Sequence, residues 1–180
     1  ELRIEKVDGF LFDLGISSYQ VDSPHRGFSF KKNGPLDMRF NDKKGPTAEE
    51  LLEKTSEKKL EEIIRIYGDE GRSRSIAKSI TEYRKRKKIK TTFDLKEAIT
   101  LTIKKPNNKI YSKVFQSIRI ALNDEIENLK ESLQKAAKYL KPNGRIAVLS
   151  FHSIEDRIVK HFFKNSVLIN QNDYYSRNNI

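Results

Sequence analysis

The stretch Val7-Asp-Gly-Phe-Leu-Phe-Asp-Leu-Gly-Ile-Ser-Ser-Tyr-Gln20 passes from an apolar run to small and polar residues. The run Phe10–Phe12 predicts a strand that is buried on both faces, as in a parallel sheet. Residues 14–18 then predict a loop that leaves the carboxyl end of the strand. Because α/β sheets bind ligands at that end, the carboxylate of Asp13 is a functional candidate. The alternative is that Asp13 only caps a following helix or turn, and the spacing leaves both interpretations open.

A second buried strand is predicted at Arg145–Phe151. Two parallel strands joined by a long crossover are typical of one half of a doubly wound α/β sheet. Ser150 and His152 leave the carboxyl end of the second strand, so they should face the same crevice as Asp13.

Two local signals flank the second strand. Pro142-Asn-Gly144 predicts a turn before it. After it, Ser153 with Asp156 predicts the capped start of a helix over Ile154–Phe163.

Between the strands the hydrophobic periodicity is mainly helical. We predict an all-α helical subdomain over residues 46–109, inserted into a core of residues 1–45 and 110–165, with a polar and poorly ordered tail at 166–180. The signals are a capping box at Thr47 and Glu50, amphipathic patterns at Ser56–Gly68, Ser73–Lys88 and Thr92–Ile103, and a long pattern at Tyr111–Tyr139 that is interrupted at Asn123–Glu125.

A loop punctuated by proline and glycine follows the opening stretch and carries Arg26, Phe28, Phe30, Asp37 and Arg39. Aromatic rings interleaved with arginine can stack a base and hold its phosphate, so Arg26 is a candidate RNA contact. The alternative is that both rings pin the loop to the core. Asp37 and Arg39 are equally consistent with an ion pair that shapes the loop.

The composition favours a polyanionic partner. Lys and Arg number 36 against 25 Asp and Glu, a net charge of +11. Such an excess indicates nucleic acid before an acidic membrane surface, although a soluble basic protein from a Lys- and Asn-rich proteome would look similar. No apolar stretch approaches the roughly 20 residues of a membrane span, so no membrane partner is expected. Without cysteine, and with three dispersed histidines, a metal site is not expected either.

The positive charge is concentrated in one segment. Residues 72–90 contain nine Lys or Arg and a single acid, Glu82, a local charge of +8. This segment predicts a patch for RNA phosphates. The alternative is a solvated helix end, where cations also interact favourably with the helix dipole. The cationic cluster at its centre is Arg84, Lys85, Arg86, Lys87 and Lys88.

Several enzyme classes lack their signatures. The eight glycines never form a G-x-G, so the chain has no dinucleotide or Walker phosphate loop of its own. No serine lies in a G-x-S-x-G elbow, which disfavours a hydrolase triad built on His152 and Asp13. A loop histidine such as His152 is more often satisfied by hydrogen bonds than used as a general base.

A series of collinear motifs resembles the MraW/RsmH family of AdoMet-dependent methyltransferases of small-subunit ribosomal RNA. The resemblance covers roughly residues 3–164. The motifs are Asp8–Asp22, Arg26-Gly-Phe-Ser-Phe30, Gly34-Pro-Leu-Asp-Met-Arg39, Tyr67-Gly-Asp-Glu70, Phe115-Gln-Ser-Ile-Arg-Ile120, Asn123-Asp-Glu125 and Gly144–Arg157.

The resemblance implies a partial Rossmann-like class I methyltransferase sheet with an inserted helical subdomain that helps to recognise substrate. It implies methyl transfer from S-adenosyl-L-methionine (AdoMet) to the exocyclic N4 of a cytidine in the decoding region of 16S-type rRNA. Asp13 and Gln20 match the family positions that contact AdoMet. For the acceptor or positioning role at N4, our candidates are Asp37, Ser150 and His152.

The resemblance also sets expectations about context. The partner would be small-subunit rRNA or the assembling ribosomal subunit, in a bacterial cytoplasm or a eukaryotic organelle. Family members carry a glycine-rich AdoMet loop that is not found here, so we expect a fragment that binds AdoMet poorly by itself. The competing hypothesis is a non-catalytic RNA-binding module derived from the methyltransferase fold. The oligomeric state does not follow from the sequence.

Overall fold

The structure is a computed structural model that describes the backbone of residues 5–177 and the side chains of residues 5–165. Its strands are β1 (Val7–Asp13) and β2 (Leu140–Leu149). Its helices are α1 (Ser18–Asp22), α2 (Ala48–Lys54), α3 (Glu57–Gly68), α4 (Ser73–Arg86), α5 (Thr92–Thr100), α6 (Asn108–Leu122), α7 (Glu125–Tyr139) and α8 (Ser153–Arg177), with a 3₁₀ turn at Pro24–Arg26.

The chain forms two compact units. Unit 1 consists of Glu1–Gly15 and Ile126–Ile180, and unit 2 is Ile16–Glu125. Unit 2 contains the predicted insertion 46–109, together with flanking residues that we had assigned to the core. The role of 46–109 as a recognition subdomain stays a prediction. The last helix is predicted to end at Phe163, but the backbone of α8 continues to Arg177, into the predicted tail 166–180. The side chains of residues 166–180 and the backbone of residues 178–180 lie outside the described part of the chain.

The two strands pair in parallel, with Gly9 opposite Arg145 and Asp13 opposite Leu149. Both predicted strands and their relative direction are therefore confirmed, and the fold class is mixed α/β. Within the described residues, this two-stranded sheet contains all the strand pairing except one isolated bridge.

The start of β2 differs from the prediction. Val7 pairs with Leu140 while Gly9 pairs with Arg145, so the ladder is irregular between these two pairs. The predicted turn at Pro142–Gly144 lies inside this irregular part of β2. Its turn geometry persists locally, because Asn143 has a left-handed φ of 66°.

The prediction that both strands are buried is wrong, because no residue of β1 or β2 is fully buried. On one face, Phe12 and Val148 pack against residues of α7 and α8. On the other face, Leu11 is 71% exposed and Leu149 is 49% exposed. Side chains alternate between the faces of a strand, so helices that pack on one side leave the other apolar row open.

Unit 2 has a large core of its own, to which α2–α6 contribute buried side chains. The predicted caps at Thr47 and Ser56 are confirmed, while α5 is capped by Thr91 rather than Thr92. The predicted end at Gly68 is confirmed, because α3 ends at Gly68 and the next residue, Asp69, takes the left-handed conformation. Gly68 permits a close helix contact, since a Cβ there would lie 2.9 Å from the carbonyl oxygen of Lys113 in α6.

The aromatic rings of the loop after α1 belong to this core. Phe28 is 7% exposed, and the Phe30 ring stacks on Tyr111 with centroids 5.9 Å apart. These contacts confirm the alternative in which both rings pin the loop. Close backbone packing shapes the same loop, because a Cβ on Gly27 would lie 2.3 Å from the carbonyl oxygen of Pro35.

Two searches of the described residues bear on function. None of the described helices combines the length and the apolar character that a membrane span needs. Within the same residues, no three side chains of His, Asp or Glu are grouped so that they could hold a metal ion.

Candidate active site

The carboxyl edge of the sheet brings together the ends of both strands. β1 ends at Asp13, and the following Leu14 N–H donates to the carbonyl oxygen of Leu149 at 3.2 Å. Ser150 comes directly after Leu149, the register partner of Asp13. The structure thus places Asp13 and Ser150 at one edge, as the strand directions predicted.

Asp13 is exposed, and its carboxylate has no ion pair among the residues that the structure describes. The alternative that Asp13 caps the next helix is wrong, because Ser17 is the N-cap of α1. An exposed carboxylate at a strand end can accept hydrogen bonds from the ammonium or hydroxyl groups of a ligand. The chain then turns at Gly15, whose φ of 93° is a backbone conformation that residues other than glycine rarely adopt.

Gln20 has a structural role in unit 2. Its Oε1 accepts the Ser17 N–H at 2.9 Å, while the Ser17 hydroxyl oxygen accepts the Gln20 N–H at 3.3 Å. The pair is a capping box, in which each side chain satisfies a backbone donor of the first helical turn. The Gln20 amide nitrogen remains a donor suited to a ligand oxygen.

His152, unlike Ser150, is held by its neighbours. Its Nδ1 accepts the backbone N–H of Glu155 at 3.4 Å. Its Nε2 lies 3.2 Å from Glu155 Oε1, within ion-pair distance although not aligned as a hydrogen bond. His152 is therefore fixed in its loop through Nδ1, while its buried Nε2 makes no hydrogen bond within the described residues.

Glu155 is a site residue that the sequence reasoning missed. Its side chain is 4% exposed, and its Oε2 accepts the Phe151 N–H at 2.9 Å. It therefore fixes the loop between β2 and α8. The predicted Ser153 cap is wrong, because α8 begins at Ser153 and His152 supplies the acceptor at its start. The available signal was an acid three residues after a polar loop residue, the spacing of a capping box.

Asp37 lies in unit 2 and forms a two-point ion pair with Arg39. Arg39 Nε donates to Oδ1 at 2.7 Å and Nη2 donates to Oδ2 at 2.9 Å. Burial alone would raise the pKa of Asp37, but hydrogen bonds from the Arg39 side chain and backbone outweigh it and hold the pKa below its ordinary value. The predicted ion pair is confirmed, and both carboxylate oxygens serve it.

Arg26 binds the backbone of its own loop. Its Nη2 donates to the carbonyl oxygens of Arg39 at 2.6 Å and Phe40 at 3.2 Å. This geometry favours a structural role, and its contact with RNA stays a prediction.

Asn123, at the end of α6, anchors the same loop and was missed as a site residue. Its Oδ1 accepts the Phe40 N–H at 2.8 Å, and its Nδ2 donates to the carbonyl oxygen of Met38 at 2.9 Å. The predicted interruption of the helix is confirmed here, because Asp124 takes a left-handed φ of 50° between α6 and α7.

The cationic cluster is engaged with its own unit. Arg84 is half-buried and donates to the carbonyl oxygens of Leu52 and Thr55 at the end of α2, the latter at 2.7 Å. Three lysines of the cluster form ion pairs: Lys85 with Glu82 at 2.7 Å, Lys87 with Asp94 at 2.7 Å, and Lys88 with Glu53 at 3.1 Å. Neither arginine of the cluster has an ion pair among the described residues, and Arg86, unlike Arg84, has no hydrogen bond there either.

The pair between Lys87 and Asp94 shifts the pKa of both groups. The hydrogen bond to Asp94 raises the pKa of Lys87. Burial alone would raise the pKa of Asp94, but hydrogen bonds from Lys87 and Thr91 hold it below its ordinary value. The local charge of +8 is thus reduced by acids from α2 and α5, which the one-segment charge count did not include.

The described residues form a mixed α/β fold with two parallel strands and an exposed carboxylate at their carboxyl edge, the edge where open α/β sheets bind ligands. Comparison with known proteins gives the family. The chain belongs to the MraW methylase family, whose family model matches residues 1–172. This is a family of AdoMet-dependent methyltransferases.

The names of curated relatives are consistent with this family. A ribosomal RNA small subunit methyltransferase H of Caldicellulosiruptor saccharolyticus is 48% identical over 165 residues, which are 91% of this chain and 54% of the relative. The protein with that name from Buchnera aphidicola is 48% identical, over 88% of this chain and 52% of its own length. The one from Rickettsia africae is 49% identical, over 91% of this chain and 54% of its own length. The chain spans about half the length of the curated relatives it matches.

The groups that Asp13 and Gln20 offer fit the chemistry of AdoMet. AdoMet carries an ammonium group and ribose hydroxyls, and Asp13 offers an exposed carboxylate with no ion pair among the described residues. Gln20 offers an amide donor beside a capping box that orients the side chain. Neither needs rearrangement of a buried contact to bind a ligand.

Proposed function

We propose that the protein, at the full length encoded by its gene, transfers a methyl group from AdoMet to small-subunit ribosomal RNA. The observation that carries the proposal is the family match over residues 1–172, which includes the strand end where Asp13 is exposed. The name shared by the relatives, ribosomal RNA small subunit methyltransferase H, supports the substrate.

We further propose that the methyl group goes to the exocyclic N4 of a cytidine in the decoding region. When bound, AdoMet supplies a methyl group on a sulfonium sulfur. The N4 amine is a weak nucleophile because its lone pair is delocalised into the ring. Positioning by the protein must therefore supply much of the rate, and the cytidine must leave its stack to reach the site.

Among the three acceptor candidates, Ser150 fits the proposal best. The oxygens of Asp37 serve Arg39, and Nδ1 of His152 accepts from Glu155. The Ser150 hydroxyl has no hydrogen bond to any residue that the structure describes, and it follows the register partner of Asp13. We therefore propose that Ser150 accepts a hydrogen bond from N4, and that His152 and Glu155 position its loop.

The test combines the full-length protein, AdoMet and small-subunit rRNA, and maps methylated nucleosides by mass spectrometry. The proposal predicts N4-methylcytidine at one position in the decoding region. Methylation of another atom would overturn the assignment of N4 as the target but would still support methyl transfer to rRNA. If the folded full-length protein binds RNA but neither binds AdoMet nor methylates, the non-catalytic module would replace the enzyme.

Ser150→Ala sharpens the same assay, with Ser153→Ala as its matched control. Loss of one hydrogen bond to the reacting amine should lower kcat by about tenfold and leave AdoMet affinity unchanged. Equal kcat values for the two variants would remove Ser150 from the proposal.

A further inference from the structure

A row of aromatic rings joined by one lysine crosses unit 2, where the loop after α1 meets α5 and α6. The Phe30 ring stacks on the Tyr111 ring, with centroids 5.9 Å apart and planes at 27°. The Lys96 Nζ lies 5.2 Å from the Tyr111 centroid and 4.8 Å from the Phe93 centroid. We call Phe30, Tyr111, Lys96 and Phe93 the aromatic–lysine surface.

The end of this row is open to a ligand. Phe93 is 43% exposed on α5 and does not belong to the large core cluster described for unit 2. An exposed ring face can stack a nucleobase of any identity, because every base has a π-face.

The other end of the row borders a cleft of about 350 Å³. Phe30 lines the cleft, so the row and the cleft are continuous. Ser29, Lys31, Ser112 and Gln116 add hydrogen-bonding groups to its wall. An aromatic wall with a few polar side chains is the usual lining of a small-molecule site, and this volume is within the usual range.

The charges of this surface differ from those of the cationic cluster. Neither Lys31 nor Lys96 has an ion pair among the described residues, whereas Lys85, Lys87 and Lys88 each have one. A lysine held over aromatic rings without an acidic partner is available to bind an anion.

We propose that the aromatic–lysine surface and its cleft bind a single-stranded segment of RNA. A base stacks on Phe93, Lys96 and Lys31 pair with phosphates, and a second base enters the cleft beside Phe30. The inference rests on the proposed function, which supplies RNA as the substrate class, and adds where RNA is held. Cations interleaved with rings on a protein of net charge +11 favour a polyanion with stacking bases over an apolar protein segment.

The test measures binding of the whole chain to a fluorescein-labelled oligouridine of about 12 nucleotides, by anisotropy at several salt concentrations. Phe93→Ala should weaken binding by about tenfold, since it removes one stacking platform. Lys96→Gln should weaken binding and lower the salt slope by about 0.7, the contribution of one single-strand phosphate contact. The matched control is Lys59→Gln, which removes the same charge from a lysine already paired with Glu62 at 2.9 Å.

A second variant guards against a folding artefact. Phe93→Trp keeps an aromatic ring and introduces the only tryptophan of the chain, so stacking of a base should quench its fluorescence. The proposal is overturned if wild-type chain binds no RNA, if Lys59→Gln lowers the salt slope as much as Lys96→Gln, or if Phe93→Trp is not quenched by saturating RNA. Binding of a protein in place of RNA would also overturn it.

These outcomes are separable from those of the proposed function. RNA binding at this surface, together with failure of methyl transfer by the full-length protein, would overturn the enzyme and retain the surface. Methyl transfer by the full-length protein, with no effect of Phe93→Ala or Lys96→Gln on RNA binding, would retain the enzyme and overturn the surface.

Discussion

The strand end at Asp13 and the cationic cluster Arg84–Lys88 are both charged segments that the sequence marked as sites, and the structure treats them differently. Asp13 is exposed and has no ion pair among the described residues. In the cluster, Arg84 binds the end of α2 and three lysines pair with acids. Most charges of the cluster are thus engaged within unit 2, whereas the carboxylate of Asp13 is available to a ligand.

If the cluster is structural, its largest effect on stability should come from Arg84. Arg84→Ala removes charge-assisted hydrogen bonds to the carbonyl oxygens of Leu52 and Thr55, and should lower the free energy of unfolding by about 1.5–3 kcal/mol. Urea denaturation of the whole chain measures this. The matched control is Arg86→Ala, since Arg86 is exposed and has no ion pair among the described residues. Equal stability of the two variants would contradict the comparison.

A smaller effect is expected at Asp94, which holds Lys87 and completes the capping box of α5 with Thr91. Asp94→Asn keeps the shape of the side chain, removes the charge and should destabilise the chain by about 1 kcal/mol. Denaturant unfolding at pH 7 gives the value. An unchanged midpoint would mean that the pair adds nothing to the stability of this unit.

The same carboxylate should make stability depend on pH. Hydrogen bonds from Lys87 and Thr91 hold the pKa of Asp94 below its ordinary value in the folded chain. The stabilisation is therefore fully present above the unfolded pKa of about 3.9 and is lost as the pH falls through the lower folded pKa. Unfolding curves from pH 6 to about pH 2 should show a smaller acid loss for Asp94→Asn than for wild type. Parallel curves would contradict the assignment.

The smallest effect is expected for Lys85, whose ion pair with Glu82 lies on the exposed surface of one helix. Lys85→Gln should leave the denaturation midpoint unchanged, because such pairs contribute little in water. If Lys85→Gln weakens RNA binding more than Lys96→Gln, the cluster rather than the aromatic–lysine surface would hold RNA.

Much of the local structure follows from the sequence. The parallel pairing of two strands, the caps at Thr47 and Ser56 and the interruption near Asn123 follow from hydrophobic period and capping chemistry. These signals lie within a few residues of the structure they predict, so a single sequence contains them.

The contacts that the sequence did not predict have a different cause, because they join residues that are distant in sequence. Lys87 and Lys88 pair with acids on α5 and α2, and the loop of Asp37 is anchored by Asn123. A local charge count cannot register either contact. The exposed face of Leu11 was missed for the same reason, because burial depends on which elements pack against a strand and not on the apolar run itself.

The most direct test of the strand-end site compares two acids of the same strand by calorimetry with AdoMet on the full-length protein. Asp13→Asn should weaken AdoMet binding by about 10- to 100-fold without changing the melting temperature, since it removes a charge-assisted hydrogen bond to the ligand. Asp8→Asn, at the opposite end of β1, should bind AdoMet as wild type does, because Asp8 pairs with Lys141 at 3.1 Å and is largely exposed. Equal affinities for Asp13→Asn and Asp8→Asn would contradict the account.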